Sequence, residues 1–321
     1  MARQYTGSAG KITNCQVGVF AAYVSRHGHA FIDRALYLPR EWTADAARLA
    51  ATHVPADVGF ATKPQLGVQM IQRAMAAGAP FAWVTADTVY GVSTVEMDLR
   101  KAGKGYVLGV NSSQQFHSWL GKPPVSGTAE AIARGLAPSA WRRLSAGDGS
   151  KGPRLYDWAY LELADLDAGE YNSTQSGLWT RGLLIRRNIG DGEMAYFTTW
   201  CPAGTPIETL VAVEGYRWAT VPKVPRATAR GMAAEGVEDG FEVAKTELGL
   251  DHNETRSWHG WHRHVSLVML AFAMPATIRH RANRGREKNQ PPRLRRQTQI
   301  PGSLVGAGDP SHRHPSRATA H

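Results

Sequence analysis

The feature that most constrains the fold is a strand–helix–strand succession between residues 81 and 110. Residues 81–86, FAWVTA, form a short apolar run that is typical of a buried strand, and this run ends directly before Asp87. The stretch STVEMDLRKAG then predicts a helix, and GYVLGV at residues 105–110 predicts a second strand. Strands joined in this way pair in parallel through a right-handed crossover. The sequence therefore predicts an α/β fold with Asp87 at the carboxyl end of a strand.

The segment before this succession predicts two long strands and two helices. Residues 12–38 contain the strands ITNCQVGVFAAYVS and HAFIDRALYLP, joined at RHGH. The first is apolar almost throughout, which indicates a place in the interior of the sheet. The stretches TADAARLAATHV and KPQLGVQMIQRAMAAG predict helices, and the second ends at Gly78 before Pro80.

Residues 111–205 differ in character and predict a β-rich insertion. Strands are expected at residues 179–187 and 194–200 (MAYFTTW), and the GDGE turn between them indicates a hairpin. GDGSKG at residues 147–152 matches the pattern GxGxxG of dinucleotide-binding loops, which also requires a helix directly after it. Pro153 and LYDW follow instead. We therefore expect a mobile loop here and no cofactor site.

Residues 237–274 predict two helices separated by a break at Gly249 and LDHN. One face of the first helix carries side chains three to four residues apart: Glu238, Phe241, Lys245, Leu248 and His252. The second helix is expected to begin at about Thr255 and to have an apolar stripe formed by Trp258, Trp261, Val265, Val268 and Phe272. The first helix holds a carboxylate and an ammonium about two turns apart, which suits a metal ion and a phosphate at one site.

The positive charge is concentrated at the end of the chain. The chain carries a net charge of +10. Residues 279–321 contain ten Lys or Arg and two acidic residues, so they contribute +8 and leave +2 for residues 1–278. This tail is rich in Pro, Gly, Ser and His, and we expect it to be disordered. It could hold nucleic acid non-specifically, or it could be a solvated terminus.

The sequence gives little indication of a membrane-spanning segment or of a disulfide framework. The longest apolar run, Val265 to Met274, is too short to cross a bilayer. The two cysteines, Cys15 and Cys201, do not suggest a disulfide framework. We therefore expect no membrane partner and a cytoplasmic location.

Asp87 and Glu238 are the candidate ligands of a metal site. A lone Asp after a strand is more often part of an Asx turn or a helix N-cap than a ligand. A lone Glu on an amphipathic helix is usually solvated. A strand-end Asp combined with a helix-borne Glu beyond a β-rich insertion, however, satisfies the requirement of two-metal phosphoryl transfer, in which carboxylates converge on two hard cations.

Several long motifs resemble one family of enzymes. They are RQYTGSAG, NCQVGVF, ALYLPREW, GFATKP, FAWVTADTVYG, LSAGDGSKGPRLYDWA and VEDGFEVAKTELGLDHNETRSWHGWHRH. The chain resembles the insertion-sequence transposases of the DDE superfamily, in the branch numbered seven-zero-one, which is related to the branch numbered four. The resemblance covers residues 3 to about 219 and 237 to 278.

This resemblance implies a ribonuclease-H-like core with a β-insertion before the last catalytic helix. Residues 1–110 would form the first part of the core, 111–205 the insertion, 206–278 the last part, and 279–321 the tail. It also implies Mg²⁺-dependent cut-and-paste transposition in a bacterial cell. DNA would be the substrate and partner, namely the terminal repeats and the target, and homodimerisation is left open.

The site residues follow from the same resemblance. Asp87 matches the second Asp of the catalytic triad and Glu238 matches the Glu, so both are expected to bind the two Mg²⁺ ions. Tyr216, Arg217 and Lys245 match residues that contact DNA, although Glu214 occupies the strict position of the Tyr. Lys245 would contact a phosphate as a point charge, and Arg217 would clamp the strand.

Two departures from the family pattern predict an incomplete enzyme. The family's first catalytic Asp lies on a strand upstream of RQYTG, so this chain is expected to lack that strand, and its two-metal site is expected to be incomplete. Residues 220–236, TVPKVPRATARGMAAEG, stand as an atypical insert between the Arg and Glu motifs. They are expected to be either looped out or the trace of a frameshift. A catalytically dead DNA-binding protein and a structural α/β protein with a basic tail are the alternatives.

The histidines near Trp258 require a separate judgement. His259 and His262 share one helical face, but a zinc site would need further ligands. Packing or a phosphate contact is the favoured interpretation.

Overall fold

The computed structural model describes residues 2–6, 11–25, 28–118, 124–149, 152–163, 178–216, 231–234 and 238–288. Residues 1–281 form one unit. The strands, in chain order, are β1 Ala2–Thr6, β2 Lys11–Cys15, β3 Val17–Ser25, β4 Gly28–Tyr37, β5 Trp83–Ala86, β6 Gly105–Val110, β7 Gln115–Ser118, β8 Val125–Thr128, β9 Arg142–Gly149, β10 Gly152–Leu163, β11 Trp179–Arg187, β12 Met194–Pro202 and β13 Gly231–Ala234.

The helices are α1 Arg40–Thr43, α2 Ala46–Ala51, α3 Lys63–Ala76, α4 Ser93–Lys101, α5 Ala129–Arg134, α6 Ile207–Gly215, α7 Glu238–Thr246 and α8 Trp258–Lys288. Among the described residues, none of the helices is long and apolar enough to cross a membrane. The α/β class predicted from the sequence is confirmed, and the architecture is compatible with a ribonuclease-H-like core.

One nine-stranded sheet organises the fold, with strand order β4-β3-β13-β5-β6-β12-β11-β10-β9. Strands β13, β5 and β6 are mutually parallel. Strand β3 runs antiparallel to β13, and β12 runs antiparallel to β6. The expected parallel pairing of residues 81–86 with 105–110 is confirmed. Two further pairs, β1–β2 and β7–β8, form small separate sheets.

The two faces of the sheet carry different helices, because alternate residues of a strand point to opposite faces. Val84 and Ala86 of β5 pack in a cluster with α3 and α4, to which Met70 and Leu99 contribute. Trp83 packs in the other cluster, with residues from α6, α7 and α8. A third cluster joins α5 to the β9–β12 end of the sheet. The sheet is therefore a central layer between helices.

The single long strand predicted from residue 12 is two strands in the structure, and β3 is its second part. The long strand anticipated from residue 12 breaks at Gln16, and its first part is β2, which pairs only with β1. The second strand, β4, and the helix α3 lie where the sequence predicts them. A capping box at Thr62 and Gln65 begins α3.

The β-rich segment continues the main sheet. Its hairpin of β11 and β12 is confirmed, and β12 also pairs with β6. The mobile loop expected at residues 147–152 is wrong for residues 147–149 and 152, which belong to β9 and β10 and pair antiparallel with Gly149 opposite Gly152. Residues 150 and 151 lie outside the described residues. The positive φ values of Gly147 and Gly152, 105° and 111°, permit this geometry.

Part of the expected insert at residues 220–236 is a strand. Gly231–Ala234 pairs with β3 on one side and with β5 on the other. It is the only described strand that connects the β3–β4 hairpin to the rest of the sheet. Residues 217–230 and 235–237 lie outside the described residues. Residues Gly231–Ala234 are therefore not looped out.

The last helix extends into the predicted tail. The break at Gly249 is confirmed by its φ of 67°, and α8 begins at Trp258 rather than at Thr255. It ends at Lys288, so the disorder expected for residues 279–288 is wrong. Arg, Ala, Glu and Lys favour a helix there, and an average composition conceals this local preference. Residues 289–321 lie outside the described residues.

Replacing Ala233 by Pro tests the connecting role of β13. Proline removes a backbone N–H donor from the ladder, so we expect Ala233→Pro to lower the free energy of unfolding by about 2 kcal/mol or more. The matched control is Ala56→Pro, at the second position of the exposed turn that Val58 N closes onto Pro55 O. Proline suits that position, so the control should stay within about 0.5 kcal/mol of the parent. Urea unfolding followed by circular dichroism measures both, and equal effects would contradict the role of β13.

Candidate functional site

Strand β5 places Asp87 at the carboxyl edge of the parallel strands. All four residues of β5 are buried, and Ala86 is level with Leu108 of β6 and with Ala234 of β13. Asp87 follows Ala86 directly and is half-buried. Ligands bind outside the carboxyl ends of strands in open α/β sheets. Asp87 therefore lies where such a fold places its chemistry.

The backbone around Asp87 is a tight turn. The side-chain Oδ1 of Asp87 accepts hydrogen bonds from Thr88 N at 2.6 Å and from Thr88 Oγ1 at 3.3 Å. Its carbonyl oxygen accepts one from Tyr90 N at 2.9 Å. The N-cap of α4 is Val92, so Asp87 is not the helix cap. The hydrogen bonds of this turn engage Oδ1 of Asp87 and hold the carboxylate close to its own backbone.

Two glycines allow this turn to lie against β6. A Cβ atom at Gly109 would lie 2.9 Å from Thr88 N, and one at Gly91 would lie 1.9 Å from Gly109 O. Both distances are shorter than atoms tolerate, and both neighbours are backbone atoms. The position of Asp87 is thus set by a close contact between backbone segments that no other residue type permits.

A buried polar network anchors the helix that follows the turn. Tyr106 Oη of β6 donates to Glu96 Oε2 of α4 at 2.9 Å, and Arg100 Nε donates to Tyr106 Oη at 3.1 Å. The guanidinium of Arg100 also lies 4.5 Å from the ring centroid of Trp200. Burial, more than the nearby Glu96, raises the pKa of Tyr106 well above its ordinary value. Sequence reasoning missed this network, because the i,i+4 spacing of Glu96 and Arg100 is also that of an ordinary solvated pair on a helix.

Glu238 is the first residue of α7. It follows β13 closely in the chain, and β13 ends at the same edge of the sheet as β5. Glu238 comes four residues after Ala234, which is level with Ala86. Four peptide units span at most about 14 Å, so the start of α7 stays within that distance of the end of β13. The side chain of Glu238 is outside what the structure describes. The convergence of the Asp87 and Glu238 carboxylates therefore stays a prediction.

Helix α7 packs on the sheet face formed by Phe20 and Phe31. The ring centroid of Phe241 lies 5.3 Å from that of Phe20 and 4.9 Å from that of Phe31. Lys245 follows one turn later, is half-buried, and has its Nζ 6.0 Å from the Phe241 ring centroid. The predicted helix is confirmed from Glu238 to Thr246, whereas Leu248 and His252, predicted on the same helical face, lie beyond its end. The phosphate contact of Lys245 stays a prediction.

The expected DNA contact of Tyr216 does not fit its position. Tyr216 follows α6, is 2% exposed, and its hydroxyl finds no hydrogen-bond partner within the described ranges. Burial raises the pKa of Tyr216 to about 12. Contact with DNA would first require this side chain to become exposed. Arg217 lies outside the described residues.

Glu214, which occupies the strict Tyr position of the motif, is fully buried. Its Oε1 accepts a hydrogen bond from Arg186 Nη1 at 3.0 Å. The Arg186 guanidinium also lies 4.8 Å from the ring centroid of Tyr156. This pair joins α6 to β11 in the interior. Sequence spacing could not reveal it, because the two residues are distant along the chain.

Packing, the favoured interpretation of the histidines, is confirmed for His262. His262 Nδ1 lies 3.0 Å from Trp258 O, and its ring contacts the rings of Trp258 and Trp261. Burial is the main cause that lowers the pKa of His262, and Arg34 and His259 lower it further. No group of three or more His, Cys, Asp or Glu suited to a metal occurs in the described part of the chain.

Comparison with known proteins finds a match to a family model over the first part of the chain. Residues 1–152 match the family model of the DDE superfamily endonucleases, and this region contains Asp87 but not Glu238. A search of curated proteins finds no match. The family match supports a DDE transposase-like family, a nuclease- or transposase-type activity and DNA as the substrate class. Endonucleases of this type typically use divalent metal ions.

The buried His262 predicts a loss of stability in mild acid. Its folded-state pKa is lowered below about 6.5, so its contribution to stability is present above that pH and is lost as the pH falls through the folded-state value. We expect His262→Gln to flatten the dependence of unfolding free energy on pH below 6.5. The exposed His252→Gln is the matched control. Urea titrations at several pH values measure this dependence, and an unchanged slope in His262→Gln would contradict the prediction.

Proposed function

We propose that this chain is a DNA transposase of the insertion-sequence type, which cleaves and transfers DNA strands by a cut-and-paste route. The observation that carries the proposal is the position of Asp87 at the carboxyl edge of β5, within the region that matches the endonuclease family. The long motifs shared with the branch numbered seven-zero-one support the narrower assignment. Glu238 would supply the second carboxylate from the start of α7.

The residues at this edge suit hard cations. Carboxylate oxygens are the ligands that Mg²⁺ prefers, and Asp87 and Glu238 are the residues that would hold it. Bound Mg²⁺ supplies charge stabilisation for the attacking and leaving oxygens of a phosphodiester. The chain's own part is positional, because the Gly91–Gly109 contact and the Glu96–Arg100–Tyr106 network fix the turn that carries Asp87.

The basic residues would hold the DNA. Lys245 lies on the same helix as Glu238, about two turns further on, and its ammonium would contact a phosphate near the reacting bond. Arg217 would clamp the strand beside it. Because Tyr216 is buried, its contribution would be to pack the end of α6 rather than to contact the substrate.

The second candidate is a DNA-binding protein without cleavage activity. It would apply if the chain binds DNA but does not hold the metal ions that cleavage requires. Binding would then remain salt-sensitive, because phosphate contacts release counterions, while no strand would be cut.

Cleavage assays separate these two functions. With Mg²⁺ and DNA that carries the terminal repeats, we expect the parent chain to nick DNA. We expect Asp87→Asn to reduce the rate at least about 100-fold, because it removes a metal ligand. The exposed Asp57→Asn is the charge-matched control and should keep the parent rate. Salt-dependent binding without nicking by the parent chain would establish the second candidate.

The separation of the two carboxylates is a direct geometric test. We expect the carboxyl carbons of Asp87 and Glu238 to lie within about 8 Å of each other, as ligands of one metal pair must. A crystal structure grown with Mn²⁺ measures this distance and locates the ion by its anomalous scattering. Side chains on opposite faces of the sheet would refute the site.

A further inference from the structure

Strands β1 and β2 form a two-stranded ribbon that is separate from the main sheet. Among the described strands they pair only with each other, with Ala2 opposite Cys15 and Thr6 opposite Lys11. An isolated two-stranded hairpin is marginally stable, so this ribbon needs a partner on at least one face. Successive side chains of a strand point to opposite faces, which gives the ribbon two faces of different composition.

One face of the ribbon packs on the rest of the protein. Ala2, Gln4 and Cys15 lie on this face and are all half-buried. They line a cavity of about 30 Å³, which Trp42 and Trp258 also line. A cavity of this size has room for only about one water molecule. This face therefore holds the ribbon against the protein.

The opposite face of the ribbon is exposed and carries three residues of different chemistry. Arg3, Ile12 and Asn14 are all exposed, and Ile12 is 61% exposed. Arg3 lies directly opposite Asn14, and Ile12 lies two residues before Asn14 on the same face. One surface therefore combines a fork of hydrogen-bond donors, an amide that both donates and accepts, and an apolar group.

The ribbon is positively charged. Residues 1–32 contain no Asp or Glu, whereas Arg3 and Lys11 both lie on the ribbon. Both side chains are exposed. A surface with positive charge and no acidic residue attracts a polyanion, and a nucleic acid is a partner of this kind.

The ribbon joins the protein at the edge of the sheet that carries Asp87. Ala86 is level with Ala234, which is level with Ala21 of β3. Strand β3 begins four residues before Ala21, at Val17, about 13 Å beyond that level and about 10 Å to the side of β5. The separation of roughly 16 Å corresponds to about five base pairs of a duplex. One DNA molecule can therefore reach both Asp87 and the ribbon.

We propose that the exposed face of the ribbon reads DNA in the major groove, close to the bond that is cut. The major groove admits a two-stranded ribbon, and its base edges suit these side chains. Arginine pairs with O6 and N7 of guanine, asparagine pairs with N6 and N7 of adenine, and an apolar side chain contacts the methyl group of thymine. Lys11 would contact a phosphate. This role rests on the proposed function, because it selects the DNA on which that chemistry acts.

The pairing of the strands sets which bases are read together. The Cβ atoms of directly opposite residues lie about 5 Å apart, and successive base pairs are about 3.4 Å apart. Arg3 and Asn14 should therefore read neighbouring base pairs, a G·C pair beside an A·T pair. Ile12 lies about 7 Å along the strand from Asn14, about two base pairs further on. We expect a preferred site of about four base pairs with this composition.

Selection of bound sequences tests the proposal. The full chain is mixed, with EDTA in place of Mg²⁺, with duplexes that carry a randomised stretch, and the retained duplexes are sequenced. The parent chain should enrich a short motif that contains adjacent G·C and A·T pairs. Arg3→Ala and Asn14→Ala should each lower the affinity for this motif about 10-fold, and lower the affinity for unrelated duplexes by less.

Two further variants separate base readout from charge and from folding. Arg3→Lys keeps the charge but not the bidentate fork, so it should lose the sequence preference and keep the affinity for unrelated duplexes. Lys101→Ala removes one positive charge from an exposed position at the opposite edge of the sheet, where α4 ends before β6. It should keep the preference of the parent chain. Circular dichroism checks folding, which should be unchanged because all the substituted side chains are exposed.

Duplex binding by the parent chain without a preferred motif would overturn the role of the ribbon, and so would a motif that Arg3→Ala and Asn14→Ala retain. Tighter binding of single strands than of duplexes would overturn reading in the groove. A dimer of the parent chain that Ile12→Glu dissociates would assign the exposed face to a second copy instead. A parent chain that binds no DNA would overturn the proposed function as well. None of these measurements requires cleavage, so a chain that selects the motif without cutting leaves the role of the ribbon intact.

Discussion

The parallel pairing of β13 with β5 is the interaction on which the rest of the arrangement depends. Without it, the nine-stranded sheet divides into two separate groups: the β3–β4 hairpin on one side, and β5, β6 and β9–β12 on the other. The same pairing brings the ends of β13 and β5 level at Ala234 and Ala86. The residues that follow these ends, Asp87 directly and Glu238 after a short link, are those proposed to carry the chemistry.

Much of the fold could be predicted because it depends on local pattern. The buried run before Asp87, the periodicity of α3 and the break at Gly249 each express a short-range preference. What could not be predicted depends on distant partners. Gly231–Ala234 has a composition that does not favour strands, and only the open position between β3 and β5 makes it one. In the same way, nothing local to Tyr216 reveals that its side chain is buried.

In the candidate site, too, features set by local sequence could be predicted and features set by distant partners could not. The position of Asp87 at a strand end was readable from sequence, because a buried run stops where a polar residue starts. The network that anchors this region was not, since Glu96 and Arg100 have the spacing of an ordinary solvated pair on a helix. The Gly91–Gly109 contact was equally hidden, because in a sequence a glycine that permits close approach looks like any other glycine.

The sheet order also has a consequence for how the polypeptide is made. Strand β3 emerges from the ribosome early, whereas its inner neighbour β13 is synthesised only after most of the chain. During that interval the inner edges of β3 and β5 expose unpaired backbone groups, which are templates for association with other chains. Pairing between such distant segments is also slow to form. Yield in a cell should therefore depend on chaperones that shield nascent edges, and slow growth at low temperature should improve recovery of folded material.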